Sequence, residues 1–486
     1  MHPLPFLRHG AAGRPLRGGS ARLAVPALTL CAALLFASIA QVAAQTPPSQ
    51  KLTVGPAGSG ADFSNLQEAI NQAAPGAIIS VAPGTYGGVV VQKPLAIIGA
   101  GSGFTFLQAQ GLASPDPGQP PPPGNPALVV RQIPAGSSVR IFGFRLLPPP
   151  GPTTALEVID CAGTVQIVDV RFEGPFPVTG FGPGRGLADV RQSAAVAFDS
   201  CRFVGVANGA LASSAANGLS GLAVRSSRIS LNQCEIRGNA GLGALGSTLL
   251  GSAAPGIWAR SSDLVLGRTS VRGGDGGVAL FTASAGAAGM WLEDSSALVA
   301  GGPGAAVQGG GGKSNASPSG PVVQPGGSAF ELVGASAVTF AADLPAVGGI
   351  GGGGATAAVT TVGPLATATA LAVRLPSARF TPLAPGPGVA TAVEIAGSPL
   401  SFVWPWLAYG TAPGLALPGV MGALQLVPGE AFPLIGLFLG LDGTATFDLM
   451  LPASPALLGL GPALQVLGLA GTQLAFSAPA LLTIGG

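Results

Sequence analysis

Histidine is nearly missing from this sequence. Its two copies, His2 and His9, both fall in the first ten residues. Beyond them no Ser-His-Asp triad, Cys-His pair or histidine metal site can be built. Lysine is scarce as well, with Lys51, Lys93 and Lys313 the only three, and charged residues make up 9% of the chain. Thinly spread acids form no cluster of calcium ligands, and nothing calls for a cofactor. Cysteine occurs four times, as Cys31, Cys161, Cys201 and Cys234, without any CxxC pair. The last three permit at most one intrachain disulfide.

The low charge does not mean disorder. Some 48% of the residues are hydrophobic, alongside 78 glycines and 46 prolines. Disorder needs few apolar residues and much charge, and this chain has the reverse. Long apolar spans are lacking too: beyond residue 44 the best run, "AFPLIGLFLGLDG", is too short to cross a bilayer as a helix.

The first 44 residues have the layout of a secretory signal peptide: Arg8, Arg14, Arg17 and Arg22, the apolar "LAVPALTLCAALLFASIA", and small residues before Gln45. The expected location is therefore secreted or at the cell surface. Four of the 22 basic residues and none of the 20 acidic ones lie there, which leaves 18 against 20 and a net charge of −2. Such a balance offers nucleic acid no basic surface.

Past the leader, "DFSNLQEAINQAAPG" predicts a short helix. Ser64 stands as its cap with Gln67 three residues on, and Leu66, Ala69, Ile70 and Ala73 share one face. Pro75-Gly76 stops it. Short β-rich runs follow, "AIISVAPG", "TYGGVVVQ" and "PLAIIGA", each closed by Pro, Gly or a polar residue. Pro83-Gly84 reads as a corner, with Tyr86 packed at the turn.

Residues 58–103, "GSGADFSNLQEAINQAAPGAIISVAPGTYGGVVVQKPLAIIGAGSG", resemble the N-terminal cap and first coil of the right-handed parallel β-helix (pectin lyase-like) superfamily, pectin methylesterases in particular. The resemblance implies a solenoid plugged by a short amphipathic helix. It transfers no catalytic residue. The Gln-Ala-Val and Asp-Phe-Ile-Phe-Gly-like segments of the esterases have no counterpart, and "VAFDSCRF" holds Asp199 in reversed order.

An internal repeat supports the same architecture. "ALEVIDC", "LADVRQS", "GLAVRSS", "GIWARSS" and "GMWLEDS" align Val158, Val190, Val224, Ala259 and Leu292 at steps of 32, 34, 35 and 33 residues. Weaker copies follow at "AFELVGA" (329–335) and "ALAVRLP" (370–376). Units of this size stack into a solenoid. Gly-rich runs such as "GNAGLGALGS" and "GGIGGGG" then read as loops extruded at corners, and "SPDPGQPPPPGNP" (114–126) as a stiff loop.

Strand alternation sends Glu157, Asp189, Ala223, Trp258 and Trp291 outward in one column, and Ile159, Arg191, Arg225, Arg260 and Glu293 in another. Trp258 and Trp291 beside Arg191, Arg225 and Arg260 form a candidate sugar platform, since rings face pyranoses and guanidinium forks pair with acidic glycans. The plainer reading is a ladder with covered tryptophans and an Arg260–Glu293 pair. Glu157 and Asp189 are an alternative acid pair for glycoside chemistry, or ordinary partners of Arg191. Cys201 and Cys234 occupy matching positions in consecutive coils, close enough for a disulfide or for a reduced internal stack. "GGGGKS" (309–314) fails as a phosphate loop, because Val307 stands where the first glycine belongs.

The expected organisation is a signal peptide (1–44), an all-β parallel β-helix (45–384) and a small C-terminal β module (385–486) whose plainest role is to cap the open solenoid end. The expected function is a non-catalytic protein binding a polysaccharide or another envelope component. The alternatives are a pectinesterase or polysaccharide lyase on acidic glycans, and a purely structural surface protein.

Overall fold

The computed structural model describes residues 50–484, apart from 110–125, 148–153, 176–185, 207–217, 242–250, 452–460 and the positions 280–281, 318–319, 342, 410, 419, 428–429 and 471–472. The leader and the proline-rich loop of 114–126 lie outside the described residues, as does much of "GNAGLGALGS".

From Lys51 to Ala370 the chain winds as a parallel β-helix with three strands per coil. One coil reads Ala195–Asp199 on a first face, Arg202–Val206 on a second and Ser220–Arg225 on a third. Nine strands stack on the third face, from Val89–Val91 to Thr360–Val362. Val158, Val190, Val224, Ala259, Leu292 and Leu332 are partners along it, and all six are buried. Alternation puts one apolar column inside every coil. Each fully buried Val or Leu there contributes about 1.5–3 kcal/mol.

The copy expected at 370–376 is absent. The ninth strand of that face is Thr360–Val362, paired with Phe330–Val333, while Thr367–Ala370 pairs with Ala337–Phe340 on the first face. Leu371, Val373 and Leu375 instead pack outside the coil with Ala300 and Ala341. Their apolar alternation serves a docked segment and only imitates a coil.

Corners are built by repetition. Between the third face and the next coil's first face stand Gln132, Asp160, Gln192, Ser226, Ser261 and Asp294, all with φ between 47° and 58°. The residue after Asp160, Gln192, Ser226, Ser261 and Asp294 is small and buried: Cys161, Ser193, Ser227, Ser262 and Ser295. These serines form a ladder. Ser227 Oγ accepts from Ser193 N at 3.0 Å and donates to Arg225 O at 2.7 Å; Ser262 and Ser295 repeat this pattern one and two coils on. A buried hydroxyl thus satisfies one N–H and one carbonyl per corner, groups that are costly to leave unpaired.

The Gly-rich runs are ordered legs. Gly274 N donates to Ala254 O, Ala287 N to Gly274 O, Gly310 N to Ala287 O, Gly327 N to Gly310 O and Gly349 N to Gly327 O, all at 2.7–2.9 Å. Outgoing and returning legs of successive coils therefore form one hydrogen-bonded layer. A Cβ on Gly310 would lie 1.8 Å from Gly274 O, and one on Gly349 would lie 1.8 Å from Gly310 O. Only glycine allows that approach.

The N-terminal helix, α1 (Leu66–Gln72), buries Leu66, Ala69 and Ile70 in the solenoid core. Its cap is Asn65 rather than the expected Ser64: Asn65 Oδ1 accepts from Gln67 N and Glu68 N at 2.9 and 3.2 Å. Asn is at least as good a cap as Ser. It also frees Gln67, whose amide clamps Val90 N and O. Tyr86 is buried at the corner as expected and donates to Ala82 O at 2.8 Å.

From Ser377 onward the pairing is antiparallel save for Val420–Met421, which runs parallel to Gln473–Phe476; Ser377–Thr381, Ala390–Ala396 and Thr444–Met450 form one sheet, and Phe402–Ala408 lies beside Ala463–Ala470 in another. This module does not cap the solenoid end. It lies along the flank. Phe142, Val168 and Ala197 pack against Ala408, Leu426, Ala463 and Leu481. Arg140 donates to Gly461 O, Thr164 to Thr411 O, and Arg268 pairs with Glu394. The apolar side chains of the first face that point out of the coil, such as Phe142 and Val168, need this cover.

Candidate ligand groove

The outward column of the third face has the expected register: Glu157 opposite Asp189, then Ala223, Trp258 and Trp291. Its expected exposure is corrected. Glu157 and Asp189 are fully buried, Trp258 is buried and Trp291 is half-buried. Alternation fixes which way a side chain points from the sheet and says nothing of what lies over it.

The arginines are committed. Arg191 pairs with Glu157 at 3.2 Å and with Asp189 at 3.4 Å; Arg225 reaches Asp189 at 4.0 Å and lies 5.4 Å over the Trp258 ring. Arg260 pairs with Glu293 at 3.5 Å. Glu157 and Asp189 sit one coil apart as expected, but inside this network. The third face is therefore an ion-pair and cation–π ladder, and its guanidinium forks are turned to the protein's own carboxylates.

Cys201 and Cys234 stack one coil apart on the corner between first and second faces, both buried with free thiols and not bridged. Each sulfur lies over a carbonyl, Cys201 Sγ at 3.3 Å from Ile167 O and Cys234 Sγ at 3.6 Å from Phe198 O. The next rung is Thr269, whose hydroxyl accepts from Cys234 N at 3.4 Å. The cysteines do the work of ladder hydroxyls.

The open feature lies at the corner between the third and first faces, one residue past the arginine column. Above the buried serine ladder, Asp160, Gln192, Ser226 and Ser261 project outward at successive coils, all exposed. With Arg228, Asp263 and Pro413 of the flanking module they line a groove of ≈ 720 Å³. Arg228 holds the module side in place: its Nη1 donates to Gly414 O at 3.0 Å and its Nε lies 3.7 Å from Asp263. The groove runs parallel to the solenoid axis and presents an amide or hydroxyl at three successive coils, Gln192, Ser226 and Ser261, about 4.8 Å apart. The sequence signal was present in the polar pairs "DC", "QS", "SS" and "SS" closing each repeat, where the first residue faces the groove and the second the ladder.

The groove's acids are far apart. Asp160 lies three coils before the coil of Ser261 and Asp263, roughly 14 Å along the axis. Paired glycosidase carboxylates are at most ~9.5 Å apart. Among the described residues no group of three or more Asp, Glu, Cys or His residues could hold a metal ion, and no described helix is long and apolar enough to cross a membrane.

The architecture places the chain among parallel β-helix solenoids. No protein-family model matches it, and no curated protein matches it in sequence. Among solved structures it is similar to WceF of Pantoea stewartii, described as a glycan biofilm modifying enzyme with a bacteriophage tailspike-like parallel β-helix fold. Identity is 10% over 84% of this chain and 51% of that one, with a TM-score of 0.16. The chain spans about half the length of that protein.

Proposed function

We propose that this chain is an exported, non-catalytic solenoid that binds a neutral polysaccharide along the corner groove. The observation that carries the reading is the groove itself, an open depression of ≈ 720 Å³ with Gln192, Ser226 and Ser261 at one-coil spacing and the module's Pro413 at its side. Repeated hydroxyl and amide groups suit a hydroxyl-bearing polymer that runs along the axis. The lining carries Asp160 and Asp263 against Arg228, so its balance of charge disfavours an acidic glycan. Among the groove's described lining residues Asp160 and Asp263 stand too far apart for a paired-carboxylate mechanism, and Trp258 is buried beneath Arg225.

The test is titration of neutral and acidic polysaccharides into the purified protein by calorimetry, with reducing-end release followed in the same samples. Gln192→Ala/Ser226→Ala removes two exposed groups from the groove. A neutral glycan should bind at least about tenfold more weakly to the double variant, without product. Preference for an acidic glycan, or release of product, would sink the proposal, as would silence across the whole panel.

A further inference from the structure

The two ends of the solenoid are treated differently. At the N-terminal end the chain covers its own sheet edge. Asp62 Oδ2 accepts from Thr53 N at 2.8 Å, Phe63 N donates to Thr53 O at 3.1 Å, and Gly55 N donates to Phe63 O at 3.0 Å. Helix α1 plugs the core beneath. At the other end Thr367–Ala370 pairs on one side only, with Ala337–Phe340. Thr367 N donates to Ser336 O and Leu371 N to Phe340 O. In a parallel ladder alternate residues bond to the same neighbour, so the N–H and C=O groups of Ala368 and Ala370 face away from the sheet. Among the described residues none reaches them.

The edge strand itself, 367–370, carries no lysine or proline. No charged residue occurs from Leu344 to Val373, and the flanking Asp343 and Arg374 pair with each other at 3.1 Å. Strand residues 367–370 are all exposed, and Val347, Ile350, Val359 and Leu365 of the same uncharged stretch stand 41–75% exposed. Natural edges carry lysine, proline or a cover for the reason that a bare edge templates another strand.

We propose that two copies of this chain join end to end through this edge. The occupant follows from the surface. A neutral edge puts no like charges together in a self-pair, and it offers no charge by which to select a foreign strand. A two-fold axis makes the pairing antiparallel and self-complementary. Ala368 of one copy then stands opposite Ala368 of the other, exchanging both outward hydrogen bonds, with Thr367 opposite Thr369 on the outer surface. That register keeps Ala368, partnered by the buried Val338, on the core side in both copies.

Sedimentation equilibrium over a concentration series tests it, on wild type, Ala368→Pro and Thr369→Lys. Ala368→Pro deletes an outward N–H while sparing the bonds from Thr367 and Leu371. Thr369→Lys leaves the backbone intact and brings like charges across the axis, so it decides the matter should the proline variant fail to fold. Wild type should dimerise, and each folded variant should do so at least about tenfold more weakly, with a melting curve that matches wild type at concentrations where both are monomeric. Amides of Ala368 and Ala370 should exchange more slowly at high protein concentration. A wild type that stays monomeric at its solubility limit, or a dimer that both variants leave undiminished, overturns the proposal.

Discussion

Replacing Asp199 with asparagine should remove a specific part of the protein's pH dependence. Asp199 ends a first-face strand and is fully buried where the C-terminal module docks. Its carboxylate accepts from Leu481 N at 2.7 Å, Ser200 Oγ at 2.8 Å, Asn232 Nδ2 at 3.0 Å and Gln233 Nε2 at 3.3 Å. Burial penalises the charge more than these donors favour it, and its pKa is pushed up from 3.8 to about 6. The folded protein thus holds this proton more tightly than the unfolded chain does. Stability from this group is fully present below pH 3.8 and is lost as the pH rises to about 6, after which it is level. A shift of about two pH units at 1.36 kcal/mol each gives roughly 2–3 kcal/mol between pH 4 and pH 7. Other carboxylates complicate the absolute curve: Asp275 and Glu394 are lowered by arginines and hydrogen bonds despite their burial, and they add stability as the pH rises. The difference between wild type and Asp199→Asn cancels them. Urea unfolding at half-unit pH steps, read by tryptophan fluorescence, should show that difference falling by roughly 2–3 kcal/mol from pH 4 to pH 7. A flat difference, or one that rises with pH, would refute the reasoning.

Two further outcomes follow from the packing. Gly310→Ala should destabilise the solenoid by about 1–3 kcal/mol in denaturant unfolding, because its Cβ would meet the Gly274 carbonyl at 1.8 Å; Gly103→Ala, where a Cβ meets nothing within 4 Å, should be close to neutral. Cys161, Cys201 and Cys234 should resist iodoacetamide in the native state and react only on unfolding, as read by peptide mapping; burial raises the thiol pKa of Cys161 and Cys201, and all three side chains are inaccessible. Native labelling of any of the three would show that the corner ladders open.

The stacking of the solenoid was legible because it depends on a local rule repeated in register. Val158, Val190, Val224, Ala259 and Leu292 each obey strand alternation, and only a solenoid makes five such residues coincide at steps near 34. The rule failed at 370–376, where Leu371, Val373 and Leu375 alternate as a coil strand would but face the flank and the module. A periodic pattern reports that one side is buried and not which neighbour buries it. The same limit explains the tryptophan column. Trp258 points out of its sheet as alternation requires, yet Arg225 lies over it, and that contact joins two coils through side chains rather than through the ladder. The glycine runs show the reverse case: their composition was plain, but reading them as extruded loops missed that they bond to one another from Asn239 to Ala357. Removing a side chain permits a close approach without stating what approaches. The groove was half visible. Each repeat closes on two polar residues, and a left-handed corner turns the first toward solvent and the second into the ladder. One backbone angle near +50° therefore separates a structural hydroxyl from one open to a ligand, and that angle is set by the stacked coils rather than by the pair itself.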